Sequence, residues 1–271
     1  MSQSPGQSLD KQTTIARPFA IEGIGIHSGL LSKMTVCPAG PSSGISFSKD
    51  GQLIRAVAGN ITRTERGTTL GKIAVVEHFL AAAYGLGIDN LIIEVEGEEL
   101  PILDGSALPF IVALEKAGVV RQSLDKQPIV LSRRLLVESG SSSIEAFPFN
   151  GFKVDFMIIF NSLGEQAYSF SLGNQSFKEE IAPARTFGFV EEFEQLTARG
   201  LGRGASSENA LILSEKGAVN TPRFVDEPVR HKILDLIGDL ALLGRPIKGW
   251  FKANKAGHAL NAQLVQKILT A

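Results

Sequence analysis

At 271 residues the chain is long enough to bury a sizeable core in one or two domains. Its 27 basic and 28 acidic residues nearly cancel, which argues against a generic nucleic-acid binder, and 44% hydrophobic with 20% charged residues is an ordinary globular balance. The single cysteine, Cys37, excludes an internal disulfide and any cysteine-based metal cluster, and fits a reducing compartment.

The chain opens with the polar stretch MSQSPGQSLDKQ, and residues 1–13 are predicted as a flexible tail, since no apolar core of a secretory signal is present. No window reaches the run of about 20 apolar residues that a membrane span needs. A first α+β domain is expected over residues 14–124. It begins with strand signals at 14–19 and 33–36 around the glycine-rich turn GIGIHSG, residues 23–29. Helical spacing follows over 73–84, IAVVEHFLAAAY, with Gly85 as the stop. Then come a strand, NLIIEVEG at 90–97, the turn ILDGSALP and a helix over 109–117.

Polar residues 121–127 mark a boundary, and a second α+β domain is expected over 125–271. Strands are predicted at 128–138, 143–148 and 153–160, and the last two helices at 228–243 and 260–269. The second half thus repeats the order of the first, which predicts two similarly built layered halves. Residues 187–219, containing RGLGRGASSENA, read as an excursion from the second core.

Four stretches carry chemistry. VRHKILDLIGD (229–239) spaces His231, Asp235 and Asp239 four apart, so a helix stacks them on one face. Asp226 is predicted to cap that helix, Pro228 to sit in its first turn, and Gly244 and Pro246 to end it. Val229, Ile233, Leu236, Ile237 and Leu240 form the apolar side, with His231, Lys232, Asp235 and Asp239 opposite. That polar side fits a solvated helix face or a metal site, and spacing alone does not decide.

In VVEH (75–78), Glu77 stands beside His78, either an exposed pair or the ligand-plus-free-carboxylate arrangement of a hydrolytic metal site. KAGHALN (255–261) sets His258 at the start of the last helix. The helix end there lowers its pKa and an adjacent carboxylate raises it toward the range of a general acid. An inert loop histidine is the other reading. Thr186 in ARTFGF (184–189) can donate a hydrogen bond to an oxyanion or simply serve a turn. His27 lies in GIGIHSG, which lacks the spacing of any nucleotide-binding fingerprint, and no HExxH occurs.

Taken in order, GIGIHSG, VEHFLAA, GLGIDNLIIEVEGEELPILDGSA, ARTFGF, RFVDEPVRHKILDLIGDLALLG and AGHALN resemble the zinc-dependent UDP-3-O-acyl-N-acetylglucosamine deacetylases of lipid A biosynthesis. The blocks cover nearly all the chain from about residue 14, and all four histidines fall inside them. The resemblance implies two α/β sandwich domains with the active site between them. It implies one zinc ion per chain, held by His78, His231 and Asp235, with Glu77 as general base, Thr186 as oxyanion partner, and His258 as general acid oriented by Asp239. Lys232, His27, Phe160 and Phe187 are similar to substrate-contacting positions, with Phe160 placed to pack on the uracil. Phe187, Phe189 and Leu201 would wall an apolar passage for the acyl chain within 187–219.

Some positions depart from the family. Val76 stands where a threonine is usual, Ile159 where an acidic residue often precedes the aromatic, and TLGKIAVV is shorter than usual, implying a trimmed hairpin. The resemblance further implies a cytoplasmic monomer from a Gram-negative-type bacterium or an organelle of bacterial origin. Its partner would be a UDP-linked acylated glucosamine, with no nucleic acid and no stable membrane insertion. Two rival readings are a zinc deacetylase of another N-acetylated sugar and a non-catalytic nucleotide-sugar-binding protein. The apolar excursion near Phe187, which a substrate without a lipid would not need, favours the first-named function.

Overall fold

The computed structural model describes residues 10–271, so most of the expected tail (1–9) lies outside the described residues. From Lys11 the chain is already strand. In the first half the elements are β1 (Lys11–Ile15), β2 (Phe19–Ile24), β3 (Leu31–Pro38), β4 (Ile45–Lys49), β5 (Gln52–Arg55), β6 (Ile61–Arg63), β7 (Thr69–Leu70), α1 (Glu77–Gly85), β8 (Leu91–Glu96), α2 (Leu108–Ala117) and β9 (Val119–Asp125). In the second they are β10 (Ile129–Val130), β11 (Leu135–Ser139), β12 (Ser142–Phe147), β13 (Phe152–Phe160), β14 (Gly164–Leu172), α3 (Phe177–Glu180), β15 (Phe187–Phe189), α4 (Phe193–Ala198), β16 (Leu211–Ser214), β17 (Gly217–Ala218), α5 (Glu227–Leu240), β18 (Ile247–Asn254) and α6 (His258–Leu269). The fold is α+β, as the sequence indicates.

The two halves are built alike. The first sheet has the order β2-β3-β8-β4-β5 and the main path of the second is β11-β12-β18-β13-β14. In each, the strand between the two helices enters the middle of the sheet, antiparallel to one neighbour and parallel to the other. Alternation of buried and open residues in β3, β8 and β13 turns one face of each sheet inward, as a period of two requires. The helices cover those faces, and α1 packs against α5, so a single apolar core runs through both halves. Among the described residues no helix is long and apolar enough to cross a membrane.

Several expectations are corrected. The strand expected over 14–19 is two strands, because Pro18, which has no N–H to give to a ladder, separates β1, paired with β9, from β2, paired with β3. The run at 128–138 likewise splits, since β10 pairs with β18 and β11 with β12. The helix expected from 73 begins at Glu77. Ala74 exchanges backbone hydrogen bonds with Glu98 and Leu100, and Val75 takes φ +58°, so the chain turns sharply before the helix. Asp226 does not cap α5; its carboxylate accepts from Arg230 Nε at 2.6 Å instead. The excursion at 187–219 forms its own small sheet, β15-β16-β17, with α4 beside it.

Candidate metal centre and cleft

The α1–α5 contact brings the candidate residues together. Glu77 and His78 open α1, while His231, Lys232, Asp235 and Asp239 follow one another along α5. His258, first residue of α6, is brought in by the packing of α6 on α5. The polar side of α5 is not solvated, for His231, Asp235 and Asp239 are each only 2% exposed.

The ligand atoms of His78, His231 and Asp235 lie within 4.8 Å of one another. Asp235 Oδ1 is 3.2 Å from His231 Nε2 and 3.8 Å from His78 Nε2. Two donors about 2.1 Å from a tetrahedral ion are about 3.4 Å apart, and the two separations bracket that value. Asp235 Oδ1 is buried and accepts no hydrogen bond, an orphaned acceptor that a cation would satisfy. The other carboxylate oxygen takes Lys232 Nζ at 2.6 Å. His231 Nδ1 is 3.0 Å from the Ala184 carbonyl; donating to it fixes the tautomer that leaves the Nε2 lone pair facing the centre.

Electrostatics favour the same state. Burial, aided by His231, lowers His78 to about 3, so its imidazole is neutral. Burial works to raise the Asp235 carboxyl, but His231, Lys232 and His258 outweigh it and hold it well below the ordinary range. A neutral imidazole and an ionised carboxylate are the forms that bind metal.

Around this centre stand the groups for proton transfer. Burial pushes Glu77 up to about 7, with His258 opposing. Burial by itself would lower His258, but Asp239, with Asp235 and Glu77, raises it to about 9. His258 Nδ1 lies 2.8 Å from Asp239 Oδ2, and Asn261 Nδ2 donates to the same oxygen at 2.8 Å. Sequence reasoning missed Asn261, although it closes the quoted GHALN, and missed Thr68, which nothing in the surrounding pattern marks.

The centre opens onto a cleft of about 820 Å³. Glu77, His78, Thr186, His231, Lys232, Asp235 and His258 line it, whereas Asp239 lies behind His258 and does not. Thr186 is held through its backbone, donating to Gly105 O and accepting from Leu211 N, both at 2.8 Å. The preceding Arg185 is clamped by the buried Glu227 carboxylate, which accepts its backbone N–H and its guanidinium.

The remaining lining is largely apolar, much of it from the excursion (Phe187, Phe189, Val190, Phe193, Leu201 and Ile212), with polar side chains such as Arg66, Glu192 and Lys255 among it. Phe160, at the end of β13, packs its ring 5.7 Å from Phe187 and 5.2 Å from Phe189, so it joins this aromatic wall. Lys232 Nζ is 5.5 Å from the centroid of the Phe187 ring while bound to Asp235. His27 also lines the cleft, but its ring nitrogens face backbone: Nε2 lies 3.0 Å from Arg66 O, and Gly202 N–H points to Nδ1 at 3.4 Å. A Cβ at Gly204 would fall 2.3 Å from Gly25 O, so only glycine lets the excursion lie this close on the GIGIHSG turn.

Over residues 12–270 the chain matches the model of a family described as UDP-3-O-acyl N-acetylglycosamine deacetylase. It is 40% identical to the UDP-3-O-acyl-N-acetylglucosamine deacetylase of Syntrophotalea carbinolica, over 95% of this chain and 87% of that protein. The protein of the same name from Myxococcus xanthus is 41% identical over 96% of this chain and 86% of its own length. That from Nitratidesulfovibrio vulgaris is 42% identical over 92% and 85%.

Proposed function

The chain belongs to the UDP-3-O-acyl N-acetylglycosamine deacetylase family, amide hydrolases of lipid A biosynthesis, and from that membership we propose how its own residues divide the reaction. The substrate is a UDP-linked, 3-O-acylated N-acetylglucosamine, and the products are the free amine and acetate. The observation that carries this reading is the His78–His231–Asp235 group lining a cleft whose other walls are largely apolar.

Zinc is the ion proposed for that group, one per chain, held by His78, His231 and Asp235, where it would supply Lewis acidity toward a water and the acetamide carbonyl. Glu77, buried beside His78, takes the proton of the attacking water. The Thr186 hydroxyl donates to the amide oxygen as negative charge gathers there. His258, kept cationic by Asp239, stabilises that charge and then protonates the leaving nitrogen. Lys232 and His27 flank the sugar and phosphate side, and Phe160 stands where the passage meets the nucleotide. Phe187, Phe189 and Leu201 hold the acyl chain, whose burial from water contributes about 0.8 kcal/mol per methylene. The setting proposed for the reaction is the cytoplasm, which a UDP-linked substrate and a single cysteine fit, and the proposed working state is a monomer.

The test compares turnover of the 3-O-acylated substrate with that of the same UDP-sugar lacking the acyl chain. The acylated compound is expected to be favoured at least 100-fold in kcat/KM. Equal rates would point to a deacetylase of another sugar.

A further inference from the structure

Thr68 occupies a place that neither its neighbours in sequence nor the metal chemistry assigns. It is 1% exposed, just ahead of β7. Its backbone N–H donates to Glu77 Oε2 at 2.9 Å, and its carbonyl accepts from Val76 N at 3.2 Å, closing the turn onto the start of α1. Its hydroxyl donates to Asp239 Oδ1 at 2.5 Å, and the same oxygen lies 3.3 Å from His258 Nδ1. One small residue therefore touches the base, the carboxylate behind the acid, and the ring of the acid.

The division of bonds on Asp239 shows what the hydroxyl does. Oδ2 is shared by His258 and Asn261, and Thr68 is the side chain bonded to Oδ1. A carboxylate this deeply buried holds its orientation only while its lone pairs are filled. Without the Thr68 hydroxyl, Asp239 is free to rotate toward its two remaining donors and to turn His258 with it.

We propose that Thr68 is a positioning residue that sets the base and the acid of the reaction in register. Its N–H pins one oxygen of Glu77, and its hydroxyl keeps Asp239 aligned behind His258. This rests on the deacetylase reading above. Substrate binding involves neither bond, so the effect falls on kcat and not on KM.

Thr68→Val removes the hydroxyl at nearly constant shape and keeps the N–H, whereas Thr68→Ser keeps both. The zinc-loaded enzymes are compared in kcat, KM, metal content and thermal midpoint. Thr68→Val is expected to lower kcat about 10- to 100-fold, the worth of a hydrogen bond to a buried charge, with KM and metal content unchanged. Thr68→Ser recovers most of the rate. In a His258→Gln background, Thr68→Val should cost less than about 2-fold, since the group it acts through is gone. Should valine not fold, Thr68→Cys, whose thiol is a weak donor, is expected to be slow beside an active Thr68→Ser. A wild-type rate in Thr68→Val or Thr68→Cys, a loss that serine does not restore, or an undiminished loss in the His258→Gln background each overturns the proposal. An inactive wild-type enzyme would instead sink the deacetylase reading itself.

Discussion

Gly238 of α5 lies so near the start of α1 that a Cβ at 238 would sit 2.1 Å from the Glu77 carbonyl oxygen. Glycine at this point sets the distance between the two helices that carry His78 on one side and His231 and Asp235 on the other. In a helix without that constraint, Gly→Ala would stabilise by roughly 1 kcal/mol. Here the sign reverses. Gly238→Ala is expected to destabilise by about 1–3 kcal/mol through overpacking and to weaken zinc binding at least tenfold. Denaturant midpoints and competitive zinc titration read both effects, and a stabilised variant would show that the helices are free to part.

The orphaned Asp235 Oδ1 makes a second prediction. Zinc added to chelator-treated protein should raise its stability by about 2.7 kcal/mol when the free ion is at a hundred times its dissociation constant. His231→Ala and Asp235→Ala should fold yet gain nothing from zinc, and both should lose deacetylation. Thermal unfolding with and without the ion is the measurement. A zinc-dependent rise that survives in Asp235→Ala would remove that residue from the ligand set.

The pH dependence follows from two groups with opposite requirements. Glu77 works as the carboxylate and, pushed up to about 7 by burial, gains that form as pH rises. His258 works as the cation. Burial opposes that form, but Asp239 holds the group up at about 9, so the cation is lost as pH rises further. The expected profile of kcat/KM is a bell, rising through the first value and falling through the second. A bound dication favours carboxylate and disfavours imidazolium, so loading moves both limbs to lower pH without inverting them. His258→Gln should flatten the basic limb, and Glu77→Gln should cut the rate by about 10²- to 10⁴-fold. A basic limb unchanged in His258→Gln would assign the acid elsewhere.

Glu227 and Arg185 form an ion pair with side chains 0% and 7% exposed, and Glu227 also accepts the backbone N–H of Arg223 at 2.6 Å. Glu227→Ala would leave a guanidinium buried without its partner, at an expected cost of about 3–5 kcal/mol. Burial tends to raise the Glu227 carboxyl, but the bonds from Arg185 and Arg223 prevail and lower it. A carboxyl lowered in the folded state contributes stability that is present above its ordinary pKa and lost as pH falls through the folded value. Acid unfolding should therefore be shallower in Glu227→Gln than in the wild type. An identical acid limb would mean that this carboxylate is not among the groups that drive it.

Much of this is legible in the sequence. The strand signals at β3, β8 and β13 are plain in the sequence, and the repeated order of elements exposes the likeness of the halves. The His231–Asp235–Asp239 stack was visible too. What a helical wheel does not contain is what covers the polar side, so water and cleft looked the same. The onset of α1 is hidden in the sequence because IAVV has helical spacing, while the backbone of Ala74 within it is held by Glu98 and Leu100 from a distant loop. Thr68 was invisible for a related reason: the partner that gives its hydroxyl a meaning is 171 residues away.

The symmetry of the two sheets has a last consequence. Each half brings one central helix to the middle of the molecule, and neither helix carries a full set of donors: α1 brings His78, α5 brings His231 and Asp235. The protein is in effect a heterodimer whose partners share one chain. The short connection from β9 to β10 acts as a tether, giving each half an effective concentration of the other on the order of millimolar. Assembly of the site is thereby first order and independent of how dilute the cell keeps the enzyme. Severing that tether would turn a unimolecular active site into a bimolecular one.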